Sequence, residues 1–140
     1  MNRSATAAIA LVAASLASTG LARADHLKID VEGAMVQGDA IVFPSVLIDK
    51  DGYVVVHAVQ GGAPVLPGSI GHTAVPMGTT EDVSVTVEGG VQADTDYVAM
   101  IHYETNDNVT YDFGEGMTDV DTPGMRPDNT AYALTFKPGT

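Results

Sequence analysis

An all-β sandwich of about seven short strands is the fold this sequence predicts, and three observations predict it. Residues 25–140 hold seventeen valines and only four leucines, a bias toward β-branched side chains that suit a pleated, half-buried surface. Apolar and polar residues alternate with period two in several runs, which turns one row toward a core and the other toward water. Glycine and proline punctuate the gaps between runs at the spacing of about 8–12 residues that sandwiches show. No window has helical periodicity. An immunoglobulin-like or cupredoxin-like sandwich fits best, with a closed barrel as the alternative.

The chain opens on a leader. Met1-Asn2-Arg3 is a short positive start, Ala5 to Ala17 is apolar, and Ala22-Arg23-Ala24 is a small-x-small cleavage pattern. These are the three regions of a secretory signal peptide, so residues 1–24 are expected to be removed and residues 25–140 to form one exported domain. The apolar run is well short of the ~20 residues a spanning helix needs, and no later stretch is apolar enough to cross a membrane.

The first strand is expected where Leu27, Ile29 and Val31 alternate with Lys28, Asp30 and Glu32. Ala40 to Ile48 and Tyr53 to Val59 are more continuously apolar, as central strands are. Between them Asp49-Lys50-Asp51-Gly52 is a turn signal that suggests a hairpin. A short strand is expected at Ile70 to Val75, and Val83, Val85 and Val87 mark another. Tyr97 to Tyr103 and Thr130 to Phe136 complete the set. The acidic stretch Gly114 to Asn129 reads as an exposed excursion before the last strand.

Charge and composition exclude several functions. The chain has six Lys/Arg, eighteen Asp/Glu and a net charge of −12. Loss of Arg3 and Arg23 with the leader leaves four basic residues and a net charge of −14. Nucleic acid needs a basic stripe to displace its counterions, and an anionic membrane surface needs the same. The chain has no cysteine, hence no disulfide framework, thiolate metal site or thiol nucleophile.

The order of segments resembles one family. Ile41-Val42-Phe43-Pro44-Ser45-Val46, then Asp51-Gly52-Tyr53-Val54-Val55-Val56-His57, is similar to the opening of the DUF7282 family, small β-domains of secreted haloarchaeal and some bacterial proteins. The likeness continues through Gly78-Thr79-Thr80-Glu81-Asp82-Val83-Ser84-Val85. It then covers Ala99-Met100-Ile101-His102-Tyr103-Glu104-Thr105-Asn106 and Tyr111-Asp112-Phe113. It extends over about residues 28–136 and implies an exported β-domain without implying a mechanism. Thr80 stands where family members usually carry a histidine, so the resemblance carries no ligand role over to that position.

Two constellations carry candidate chemistry. Residues 104–115 hold the oxygen inventory of a calcium loop at Glu104, Asn106, Asn108, the Thr110 carbonyl, Asp112 and Glu115, counted at positions 1, 3, 5, 7, 9 and 12. Position one is normally Asp and position six Gly, whereas this loop has Glu104 and Val109. A solvated acidic hairpin loop, in which Asn and Asp serve the turn, is the simpler reading.

The second is a soft-metal set drawn from His26, His57, His72, His102 and the five methionines of residues 25–140. Thioether plus imidazole is the ligand mix of copper, Cu(I) above all, and Met77, Met100, His102 and His57 are the candidates. Met100 and His102 are two apart on one strand and share a face. Val98 belongs to the same row, which equally reads as a core row ending in a half-buried histidine. His26 would be second after the expected cut, one short of an amino-terminal Xaa-Xaa-His copper site.

No Gly-x-Ser-x-Gly elbow or phosphate-cradling loop is present. Ser45, Ser69 and Ser84, the serines of residues 25–140, read as strand or turn residues. The expected product is an exported, acidic, non-catalytic module in the periplasm or outside the cell. Its role is binding or structural, with self-association or a cell-surface protein as partner classes. The alternatives are a copper- or calcium-handling protein and, last, a small hydrolase.

Overall fold

A computed structural model describes residues 26–140; the expected leader, residues 1–24, lies outside the described residues. Nine strands form, all antiparallel, and there is no helix among the described residues. They are β1 (Lys28–Ile29), β2 (Met35–Gln37), β3 (Ala40–Ile48), β4 (Gly52–Gln60), β5 (Ala63–Pro64), β6 (Gly71–Val75), β7 (Gly78–Thr86), β8 (Tyr97–Tyr103) and β9 (Ala133–Phe136). The all-β sandwich expected from valine content and alternation is present. The two strands beyond the expected seven, β2 and β5, are too short to carry a period.

The first sheet is built on β3, which pairs with β7 along one edge and with β1 and β2 end to end along the other. The second is built on β4, flanked by β8 and then β9 on one side and by β6 and β5 on the other. The sheets curl together along one side, where the Thr73 hydroxyl donates to the Ser84 carbonyl at 2.6 Å and Glu88 N–H to Ile70 O at 2.7 Å. Between the sheets lies a hydrocarbon core that includes Ile41, Phe43, Val54, Val56, Val85, Ile101 and Phe136. Phe43 and Phe136 meet there with ring centroids 5.4 Å apart.

Two expectations are corrected. Asp49 to Gly52 makes a turn but not a hairpin, because β3 and β4 go into different sheets. Turn residues specify a reversal; they do not say which strand supplies the hydrogen bonds. Gly52 is required where β4 begins, since a Cβ there would run into the backbone carbonyl of His102 on β8. The stretch from 114 to 129 is not simply an exposed excursion. Thr122 and Gly124 continue the pairing of β8 beyond β9, through Tyr103 N–H to Thr122 O at 2.9 Å and Gly124 N–H to Ile101 O at 2.8 Å. Asp121 in the same stretch is fully buried.

Candidate functional site

β4 and β8 are buried on both faces, and the two faces differ. Register places Val54, Val56, Ala99 and Ile101 toward the inter-sheet core. The alternate residues Tyr53, Val55 and His57 of β4 stand opposite His102, Met100 and Val98 of β8 on the outer face. All six are buried. The segment after β8 folds back over this face. Tyr111 packs on Tyr53 (5.3 Å between centroids) and on His72 (4.8 Å). Phe113 meets the His102 ring edge-on at 4.7 Å.

His57 and His102 are 0% and 1% exposed, with ring centroids 6.4 Å apart and planes tilted by 37°. The ring Nδ1 of His57 lies 2.8 Å from the Gly68 carbonyl and 3.1 Å from that of Val65. Nδ1 of His102 lies 2.6 Å from the Asp121 carbonyl. A carbonyl only accepts, so each Nδ1 carries the proton and each Nε2 keeps a bare lone pair. Among the described residues, these two Nε2 atoms are the buried side-chain nitrogens and oxygens without a hydrogen-bond partner. Burial holds both rings neutral by opposing the imidazolium. It lowers the His57 pKa against the pull of the Gly68 and Val65 carbonyls. It lowers His102 to about 4, with the nearby His57 ring acting in the same direction.

Asp121 holds the cover in place. Its carboxyl accepts the backbone N–H groups of Thr105 (2.9 Å) and Asp112 (2.8 Å), its N–H donates to the Thr105 hydroxyl (2.7 Å), and its carbonyl accepts the hydrogen bond from His102 Nδ1–H. One buried residue therefore ties the loop at two places and sets the tautomer of a ring beneath it. Nothing in the sequence marks it. It is one Asp among eighteen acidic residues, in a stretch whose Pro and Gly read as loop.

The copper candidates divide. His57, Met100 and His102 share the outer face, and Met100 stands opposite Val55, between the positions of the two histidines. Met77 is in the turn before β7, 66% exposed, with its N–H on the Asp51 carboxylate at 2.8 Å. His102 is fully buried rather than half-buried, because the folded-back segment covers the end of the row. His72 faces Tyr111 from the exposed edge of the same face.

The calcium candidates form a hydrogen-bonded loop. Tyr53 donates to Glu104 Oε1 at 2.7 Å, Asn106 N–H to Glu104 Oε2 at 3.1 Å, and the Asn106 and Asn108 amides to Asp112 Oδ2 at 2.9 and 2.6 Å. The Tyr53 hydroxyl holds the Glu104 carboxyl below its usual range, and the two amides do so for Asp112. Glu115 lies in the turn between Gly114 and Met117, apart from these bonds. Val109, where a calcium loop has glycine, adopts a left-handed φ of 56°. Among the described residues no three His, Cys, Asp or Glu side chains gather as a metal cluster. No described helix is long and apolar enough to cross a membrane.

Comparison with known proteins places the domain. The chain is 28% identical over 93 residues to cell surface glycoprotein 1 of Haloarcula hispanica, covering 66% of this chain and 10% of that protein. It is 26% identical over the same length, with the same shares, to cell surface glycoprotein 2 of that organism. The chain therefore spans about a tenth of the length of the curated relatives it matches. No solved structure matches it. The model of a family described as a domain of unknown function, DUF7282, matches residues 27–136, nearly all of the described fold, and the chain belongs to that family.

Proposed function

We propose that this protein is an exported, non-catalytic module of the cell surface, with a structural or binding role. The observation that carries the reading is the alignment of 93 of its residues with part of two cell surface glycoproteins. The surface chemistry supports it. Acidic side chains such as Glu32, Asp39, Glu81, Glu88, Asp94 and Asp96 are exposed around the sandwich, and so dense a charge keeps a domain soluble and discourages pairing between sheet edges. The pattern of residues 1–24 supports export.

A membrane-impermeant amine reagent applied to intact cells tests the location. Lys28, Lys50 and Lys137 are exposed, so labelling of the protein before lysis is expected. Labelling that requires lysis overturns the reading.

A further inference from the structure

The outer face of the second sheet carries a feature that a surface module does not need. A buried polar atom without a partner is destabilising, and this face holds two of them on adjacent rings. Each ring is oriented by a backbone carbonyl on Nδ1. Histidines that bind metal through Nε2 are held in this manner, with the outer carbonyl setting the tautomer and raising ligand basicity. We propose that His57 and His102, with Met100 at the position between them on the same face, form a closed binding site for monovalent copper.

One observation fits a shared ion and two select which ion. The first is spacing. Two imidazoles whose Nε2 atoms face one shared ion have ring centroids up to ~6.3 Å apart, given N–metal bonds of ~2.0 Å, and the observed centroid separation of 6.4 Å lies at that limit. The second is charge. The face offers two neutral imidazoles and a thioether among Val55 and Val98. The carboxyl of Asp121 is already taken by the Thr105 and Asp112 N–H groups. Burying a divalent ion with no anionic ligand is far costlier than burying a monovalent one. The third is ligand count and softness. Zinc requires about four ligands in a tetrahedron and calcium six to eight oxygens. Two imidazoles and a thioether suit Cu(I).

The site is closed by Tyr111 and Phe113 on the segment that Asp121 fastens, so metal enters when that segment lifts. The proposal rests on the geometry of this face and is independent of where the protein resides.

The test is anaerobic titration of the purified full chain against a chromophoric Cu(I) chelator, with X-ray absorption of the resulting complex. The expected result is one Cu(I) per chain, held by two imidazole nitrogens and a sulfur, with no competition from zinc or calcium. His57→Gln and His102→Gln should each weaken Cu(I) binding at least 100-fold, and Met100→Leu about 10-fold. Met77→Leu should leave it unchanged. The absorption spectrum of the unaltered protein decides the matter even if a histidine variant fails to fold. Absence of stoichiometric binding overturns the proposal and assigns the two lone pairs to a buried water. Binding that survives His57→Gln, that is lost with Met77→Leu, or that shows oxygen ligands alone overturns it as well.

Discussion

The two faces of the second sheet share the strands β4 and β8 and both are shielded from water, yet they are filled by opposite chemistry. The inner face is hydrocarbon, closed by Phe43, Ile41 and Phe136 from other strands. The outer face has two imidazoles, a thioether and a buried carboxyl, closed by an irregular segment hung on hydrogen bonds. Removal of water is worth about 25 cal/mol for each Å² of apolar surface, so the inner face explains why the chain folds. The outer face gains less, since its polar atoms lose hydration and two of them recover nothing. A buried residue pair that stability does not require, left without hydrogen-bond partners beneath a fastened cover, is where a ligand should be sought.

Four perturbations probe this contrast. The largest is to the inner face. Phe43→Ala removes a fully buried ring packed on Phe136 and should cost about 3–5 kcal/mol, read by denaturant unfolding. A loss under 1 kcal/mol would mean that the inner face is not the main source of stability.

Acid should act through the outer face. The unfolded chain binds protons on His57 and His102 near pH 6.5, whereas the folded chain resists until lower pH, about 4 for His102. The contribution of these two rings to the stability of the chelated protein is therefore full above pH 6.5 and falls as pH drops, with the His102 share gone below about 4. His102 alone accounts for about 3 kcal/mol. Melts of the chelated protein compared with His102→Gln check this, because the variant should show a flatter slope between pH 6.5 and 4. Equal slopes would remove His102 as the cause.

Asp121→Asn puts an amide NH₂ against one of two backbone donors and should cost about 1–3 kcal/mol. Hydrogen exchange should quicken first at Thr105 and Asp112 and leave β3 and β7 protected. Exchange that quickens uniformly would show that cover and core open as one unit.

The smallest effect is a gain. Val109 holds a left-handed φ of 56° at an exposed tip, a conformation that strains a β-branched residue by about 1–3 kcal/mol. Val109→Gly should raise stability by up to about 1 kcal/mol after its added unfolded-state entropy is subtracted. A lower melting temperature would show that the valine side chain matters at that tip.

The strands were largely legible. β3, β4, β6 and β8 lie where valine content and turn signals put them, because burial of a strand is written in its own residues. The pairing of β4 was not legible: Asp49 to Gly52 has the chemistry of a hairpin turn, but only the competition among β3, β6 and β8 for β4 decides who bonds to it. The early start of β7 at Gly78 has the same origin, since β3 supplies partners as far as Ile48. Of the candidate copper ligands, the alternation along β8 showed that Met100 and His102 share a face. That His57 joins them and Met77 does not depends on register between distant segments.

The class of the fold, the family and the acidic exterior were legible without coordinates, since composition, local alternation and turn residues are properties of neighbours along the chain. That β3 and β4 part, that Asp121 goes inside, and that two histidine Nε2 atoms are buried without a partner follow from the packed fold instead. Those outcomes come from which surfaces meet after the chain has closed on itself, and no residue's neighbours in sequence specify that meeting.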